Sequence, residues 1–413
     1  MTSEFADFPP ERFAALWRSL APIGRDRTTG GYLRYSWSDA DLACREWFVE
    51  EAVDRDLHVE VDGNGNLWAT WVPDGVDREA PAVVTGSHFD SVPHGGAFDG
   101  PLGIVSALLA VDLLRAGGRT PVRPVTIAAF TEEEGSRFGV ACLGSRLLTG
   151  GYDPAAAARL TDRDGTTLAD AMAKAGADPT RLGPDEERLA RIAAFVELHV
   201  EQGRALVDLG AAVGVASAIW PHGRWRFDIA GEGNHAGTTR MSDRRDPMLT
   251  FAYIVLAANK DARLRGAHAT VGRVSVEPNA TNAVPSRVTG WLDARAPDQS
   301  TLNGLVEAVR TRAEDRARRD GTSVRMAAES ESATVRFDDG LRDRIASRLG
   351  GAPVLPTGAG HDAGVLSARV PTAMLFVRNP TGVSHAPAEH ATDADCAAGI
   401  VALADVLEEL ACR

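Results

Sequence analysis

Cysteine is scarce. The 413 residues contain four, Cys44, Cys142, Cys396 and Cys412, scattered and with no C-x-x-C pair. That spacing argues against a disulfide framework and against a zinc ribbon, and it reads as four thiols in the cytoplasm. No run of about 18 apolar residues exists, so no bilayer-spanning helix is expected. The opening MTSEFADFPPERF lacks a charged stretch followed by an apolar one, so no secretory signal is expected either. Positive charge is in deficit, with 44 Lys and Arg against 57 Asp and Glu for a net −13, and no dense basic block. Nucleic acid and anionic membranes are thereby disfavoured as partners. A small anionic substrate is not, because a few local arginines suffice to bind one. Internal repeats are absent as well.

What is present is an alternation of short apolar runs with helical patterns. PAVVTG (81–86), VTIAAF (125–130), AAFVEL (193–198) and TAMLFV (372–377) are partly β-branched and closed by Gly or polar residues. Such runs suit buried strands of an α/β sheet. Between the first two, PLGIVSALLAVDLLRAGG predicts a buried helix with Pro101 in its first turn and Gly117 and Gly118 past its end. A last helix is predicted from about Asp393 to Leu410, with Thr392 and Asp395 forming a capping pattern. AAAARLTDRDGTTLADAMAKAG reads as plain helix. The segment from about 214 to 330 has a different order, β-α-β-β-α-β, which is the split pattern of ferredoxin-like domains. The length favours two domains, and this segment predicts the second, inserted into the first.

Each apolar run of the first domain is followed by metal-capable side chains: His88, Asp90 and Asp99; then Glu132, Glu133 and Glu134; then His199 and Glu201; then His385 and Glu389. Loops at the carboxyl ends of an open α/β sheet converge on one crevice, and His, Asp and Glu together suit divalent zinc, manganese or cobalt. A single His beside a strand is ordinarily a hydrogen-bonded structural residue, and three glutamates are ordinarily a solvated face. Four such groups at the same end of four strands would instead crowd carboxylates without compensating charge, which is costly unless cations are present.

The ordered motifs GSHFDSVPHGGAFDGPLG, TEEEGSRFG, ELHVEQG, GEGNHAGTTRM, PNATNAVP, LDAR, GAGHDAG and GVSHAPAE span nearly the whole chain from about residue 20. In this the sequence resembles the M20 metallopeptidase superfamily, and within it the branch of N-carbamoyl-L-amino-acid hydrolases, β-ureidopropionases and allantoate amidohydrolases. The resemblance implies an α/β fold. Its mixed-sheet, zinc-peptidase-like catalytic domain (1–213 and 331–413) would carry an inserted ferredoxin-like lid and dimerisation domain (214–330), in a homodimer.

The resemblance also implies two divalent metal ions. Asp99 would bridge them, with His88 and His199 on one and Glu134 and His385 on the other. Asp90 would orient the His88 imidazole through its carboxylate. Glu133 would be general base and then proton donor, and His235 would stabilise the oxyanion. Gln202 would contact a ureido group, and Asn282 and Arg295 would hold a substrate carboxylate. Many M20 peptidases carry an acid where this chain has His199, whereas the carbamoyl hydrolases have His. That favours a ureido carboxylate, allantoate or an N-carbamoyl-L-amino acid, as substrate. The alternatives are a dipeptidase or N-acyl-amino-acid deacylase on the same metals and, more remotely, a non-catalytic binding protein. His361 and Asp362 line the expected crevice without an assigned role. Arg240, His222 and Arg224 depart from the family pattern.

Overall fold

A computed structural model describes residues 3–412. The first fifth of the chain supplies two helices, Pro10–Leu20 and Asp39–Val53, and an antiparallel pair, β1 (His58–Val61) and β2 (Leu67–Trp71). Four strands follow: β3 (Ala82–His88), β4 (Val125–Phe130), β5 (Ile192–Val200) and β6 (Val213–Ile219). A second unit contains β7 (His222–Ala230), β8 (Asn234–His235), β9 (His268–Glu277), β10 (Ala283–Val284), β11 (Arg287–Arg295) and β12 (Ser323–Ser332). The chain then returns through β13 (Val335–Arg336), β14 (Val354–Thr357) and β15 (Thr372–Val377).

The four apolar runs are the centre of a nine-stranded sheet of order β1-β2-β4-β3-β5-β15-β6-β13, with β14 beside β6. β4, β3, β5 and β15 are mutually parallel, while β2 and β6 join them antiparallel, so the sheet is mixed. All residues of β3, β4 and β15 are buried. Parallel strands need helices on their faces, hence the continuous apolar runs. The helix Pro101–Ala116 provides one cover, with Pro101 in its first turn and Gly117 as its C-cap. The helix Asp393–Ala411 provides another, its Thr392 side chain accepting from Asp395 N–H. Chain order reverses about β3, whose neighbours are β4 and β5, and such a reversal opens a crevice at the strands' carboxyl ends.

The stretch read as plain helix is instead two short helices, Pro154–Ala158 and Leu168–Lys174. Between them Asp162 turns the chain, its Oδ1 accepting from the N–H groups of Asp164 and Thr166, with Gly165 at φ 83°. An aspartate that bonds the backbone two residues on competes with helix locally.

The compact units are residues 1–217 with 336–413, and Ala218–Val335. The second unit begins later than 214 because β6 pairs with β15 in the large sheet, and it ends later than 330 because β12 runs on to Ser332. Taken by itself, it is an antiparallel sheet of order β12-β7-β11-β9 with β-α-β-β-α-β chain order. Trp225, Phe227, Ile229, Val288 and Leu292 alternate inward along β7 and β11. They form one core with Ile254 and Ala258 of the helix Pro247–Arg265 and Leu305 and Val309 of the helix Gln299–Asp320.

Candidate metal centre

The carboxyl ends of the parallel strands place the expected side chains together. His88 is the last residue of β3, Glu132 to Glu134 follow β4, His199 is the penultimate residue of β5, and His385 lies on the loop after β15. His88 and His199 are fully buried, and Asp99 and Glu133 nearly so. Asp99 divides its two oxygens: Oδ1 lies 3.1 Å from His199 Nε2 and 3.6 Å from His88 Nε2, and Oδ2 lies 3.3 Å from His385 Nε2. His385 Nε2 is also 3.6 Å from Glu134 Oε1. Two groups with metal-binding geometry therefore share Asp99: His88, Asp99 and His199, and Asp99, Glu134 and His385.

The main chain sets the histidine tautomers. His88 Nδ1 lies 3.0 Å from the Asp90 carbonyl and His199 Nδ1 lies 2.9 Å from the Val200 carbonyl. A carbonyl only accepts, so each Nδ1 carries a proton and Nε2 is the nitrogen left to face Asp99. Against burial, which lowers both, Glu133 and Asp90 raise His88 and Asp99 raises His199 above the usual histidine range, a charge that a cation at Nε2 would replace. Neither Nε2 has a hydrogen-bond partner, nor does Glu134 Oε1. Buried, unpartnered nitrogens and a carboxylate oxygen gathered around a shared carboxylate are what a cation would satisfy, so the residues present fit divalent metal. Gly100, at φ 87°, makes the approach possible, because a Cβ there would stand 2.5 Å from the His88 ring.

The electrostatics are those of crowded acids. Burial, reinforced by Asp362, Glu134 and Asp90 and opposed by His88, pushes Glu133 well above the usual carboxylate range. Burial and Asp99 push Glu134 up to about 7. Hydrogen bonding to Asp99, with Glu134 adding to it, raises His385 to about 9 against the effect of burial. Glu133 Oε2 is 3.6 Å from His88 Nε2, at the edge of the cluster.

The other acids are committed to main-chain donors. Asp90 reaches His88 through its carbonyl, and its carboxylate, 3.6 Å from Nδ1 at the nearest, accepts from Glu133 N–H at 3.1 Å and Glu134 N–H at 3.0 Å. Asp90 thus meets His88 with its carbonyl at 3.0 Å and its carboxylate at 3.6 Å, and the carboxylate also braces the glutamate turn. Glu132 accepts from Arg137 and Phe138 N–H, and Glu201 from Ala205 and Leu206 N–H. Glu389 accepts from Phe98 and Asp99 N–H, which joins the Asp99 loop to the His385 loop. Gln202 donates to Asp99 Oδ2 at 2.7 Å and to Ser384 Oγ at 3.3 Å.

Three residues join the cluster without a role having been read for them. His361 is buried with its ring 4.5 Å from that of His199, its Nε2 unpartnered, and burial followed by His199 holds it well below the usual histidine range, hence neutral. Glu197, under the site, accepts from Ser87 Oγ and Ala363 N–H. Cys142 donates its thiol to Glu133 Oε1. GAGHDAG flagged His361, whereas Glu197 inside an apolar strand and Cys142 in a loop carried no signal.

His235, Asn282 and Arg295 belong to the second unit. His235 and Ala283 are cross-strand partners in the β8-β10 pair, and Ala236 N–H donates to the Asn282 carbonyl, so His235 and Asn282 are neighbours. Gly237 N–H donates to His235 Nδ1 at 3.0 Å, which leaves the neutral ring's proton on Nε2 as an exposed donor. Arg295 ends β11 between His222 of β7 and His268 of β9. Its Nε donates to Asp293 Oδ1 at 2.9 Å and its Nη2 to Asp293 Oδ2 at 3.3 Å. Arg224 Nε stands 3.6 Å from the same Asp293, and Arg240 is exposed.

Residues 84–409 match the family described as Peptidase family M20/M25/M40. The chain is 36% identical over 407 residues to an N-carbamoyl-L-amino acid amidohydrolase of Geobacillus stearothermophilus, covering 96% of this chain and 98% of that protein. It is 33% identical to an allantoate amidohydrolase of Escherichia coli, covering 95% and 96%. Among solved structures, an amidase of the hydantoinase/carbamoylase family from Burkholderia vietnamiensis superposes with a TM-score of 0.86 at 31% identity, covering all of both chains.

Proposed function

The chain belongs to peptidase family M20/M25/M40, and from that premise we propose that it is a binuclear-metal amidohydrolase cleaving the carbamoyl group of a small ureido carboxylate. The observation that carries this reading is the division of Asp99, one oxygen toward His88 and His199 and the other toward His385. Its similarity to an N-carbamoyl-L-amino acid amidohydrolase and an allantoate amidohydrolase supports the substrate class.

Zinc, manganese or cobalt bound by His88, Asp99, His199, Glu134 and His385 would supply Lewis acidity, polarising a carbonyl and acidifying water. Glu133 takes the proton from water as its oxygen bonds to the ureido carbon, and returns that proton to the departing nitrogen as the C–N bond breaks. The carbamoyl group ends as ammonia and carbon dioxide. His235 offers its Nε2–H to the developing oxyanion, Gln202 its amide to the ureido group, and Arg295 with Asn282 their donors to the substrate carboxylate. The second unit acts as lid and as the contact of a homodimer. Its edge strands β9 and β12 are each ten residues long, and Leu249, Leu256 and Leu264 are exposed on one helix. Long exposed edges and apolar stripes are surfaces that partners cover.

The test is ammonia release from allantoate, N-carbamoyl-β-alanine and several N-carbamoyl-L-amino acids, beside dipeptides and N-acyl amino acids, at matched metal loading. Turnover confined to dipeptides or acyl amino acids would refute the ureido assignment.

A further inference from the structure

Cys142 joins the glutamate turn after β4 to the helix that follows it. It precedes the helix Leu143–Leu148 in a left-handed conformation, φ 54°, and its side chain makes no cap to that helix. Instead the thiol donates to Glu133 Oε1 at 3.3 Å, while Cys142 N–H donates to the Glu133 carbonyl at 2.7 Å. The next two residues continue the ladder, Leu143 N–H to the Glu132 carbonyl and Gly144 N–H to the Thr131 carbonyl. Backbone and side chain of Glu133 are thus held by one residue.

The two oxygens of Glu133 face different things. Oε1 is on the thiol, and Oε2 is the oxygen 3.6 Å from His88 Nε2. The terminal torsion of a glutamate is soft, with a broad two-fold profile. Packing alone therefore leaves open which way the carboxylate plane points, and one directional donor on the far oxygen decides it. A thiol is a weak donor, so it can orient the group without withdrawing much charge from it. Burial, with Glu133 beside it, pushes the Cys142 thiol well above its usual range, so the donor keeps its proton.

We propose that Cys142 is the positioning residue for the general base, its thiol holding Glu133 Oε1 so that Oε2 faces His88 Nε2. This rests on Glu133 being the base. A misaligned base slows chemistry without weakening substrate binding, so the effect belongs in kcat.

The experiment compares Cys142→Ala and Cys142→Ser in metal-loaded enzyme, with Glu133→Gln alongside. Both Cys142 variants carry the same left-handed backbone, and only Ser keeps a donor. Cys142→Ala should lower kcat about three- to tenfold, the size of one ordinary hydrogen bond, with KM and metal content unchanged. Cys142→Ser should recover most of that loss. A second readout needs no turnover: the S–H stretching band that disappears in Cys142→Ala should move to higher frequency in Glu133→Ala. An alanine variant at wild-type kcat, a serine variant no better than alanine, or an S–H band indifferent to Glu133 would each overturn the proposal. A fully active Glu133→Gln would remove the base reading itself, a different outcome from an inactive Glu133→Gln beside an unaffected Cys142→Ala.

Discussion

His88 and His199 lie with ring centroids 5.9 Å apart and planes inclined by 27°, each with Nδ1 on a main-chain carbonyl and Nε2 turned toward Asp99 Oδ1. Two such rings beside a shared carboxylate bind a cation in the folded state far better than in the unfolded chain. A chelator should therefore abolish ammonia release and also lower the melting temperature, and zinc, manganese or cobalt should restore both. At a thousandfold excess over Kd the stabilisation is about 4 kcal/mol. Calorimetry with metal analysis checks it, and full turnover by a demonstrably metal-free preparation would contradict the mechanism.

Glu133 and Glu134 are adjacent but are expected to fail differently. Glu133→Gln should keep its metal and lose roughly 10²- to 10⁴-fold in kcat, the contribution of a positioned proton-transfer group. Glu134→Gln should weaken metal retention, because Glu134 Oε1 is the buried, unpartnered atom beside His385. Metal content after dialysis separates the two. Equal metal loss in both variants would collapse the distinction.

Arg295 presents its Nε and Nη2 edge to Asp293, which fixes the guanidinium plane. Arg295→Ala should cost about 2–5 kcal/mol against a carboxylate substrate, roughly 30- to several thousand-fold in kcat/KM. Arg295→Lys should rescue poorly, since a point charge lacks the planar fork that matches a carboxylate. The comparison uses a carbamoyl amino acid and its carboxamide analogue. A mutant that loses equally on both, or on neither, does not anchor the carboxylate.

The cysteines offer a check on the core. None is disulfide-bonded. Burial raises Cys44 to about 11 and pushes Cys142 and Cys396 well above the usual thiol range. At pH 8 a thiol of pKa about 11 is roughly one part in a thousand thiolate, the reactive form. A thiol reagent at that pH should titrate at most Cys412 in the native protein and all four after unfolding. Rapid native labelling of Cys142 or Cys396 would show that those sites open.

Homodimerisation through the second unit predicts a dimer by sedimentation. Replacing both Leu256 and Leu264, each 70% exposed on one helix, by Asp should give a folded monomer. A dimer unchanged by both charges would place the contact elsewhere.

Length, period and punctuation determined the scaffold. Four short, partly β-branched apolar runs suited buried strands, because no amphipathic alternation was present to leave a face in water. The β-α-β-β-α-β order marked the second unit, and Pro101, Gly117 and Thr392 marked helix ends through local chemistry alone. The resemblance supplied which acids and histidines to watch. What each side chain is bonded to was decided only by the fold, because those partners are remote in sequence. Asp90 bonds Glu133 and Glu134 43 and 44 residues away, and Glu389 bonds Phe98 and Asp99 across 291 and 290. No pattern distinguishes a carboxylate that caps a turn from one left with a vacant oxygen. The tautomers of His88, His199 and His235 belong to the same class, since they follow from which main-chain group happens to face Nδ1. The helix broken at Asp162 and the thiol on Glu133 were hidden for a related reason: local propensity reports what a residue prefers, and tertiary contact decides which preference is used.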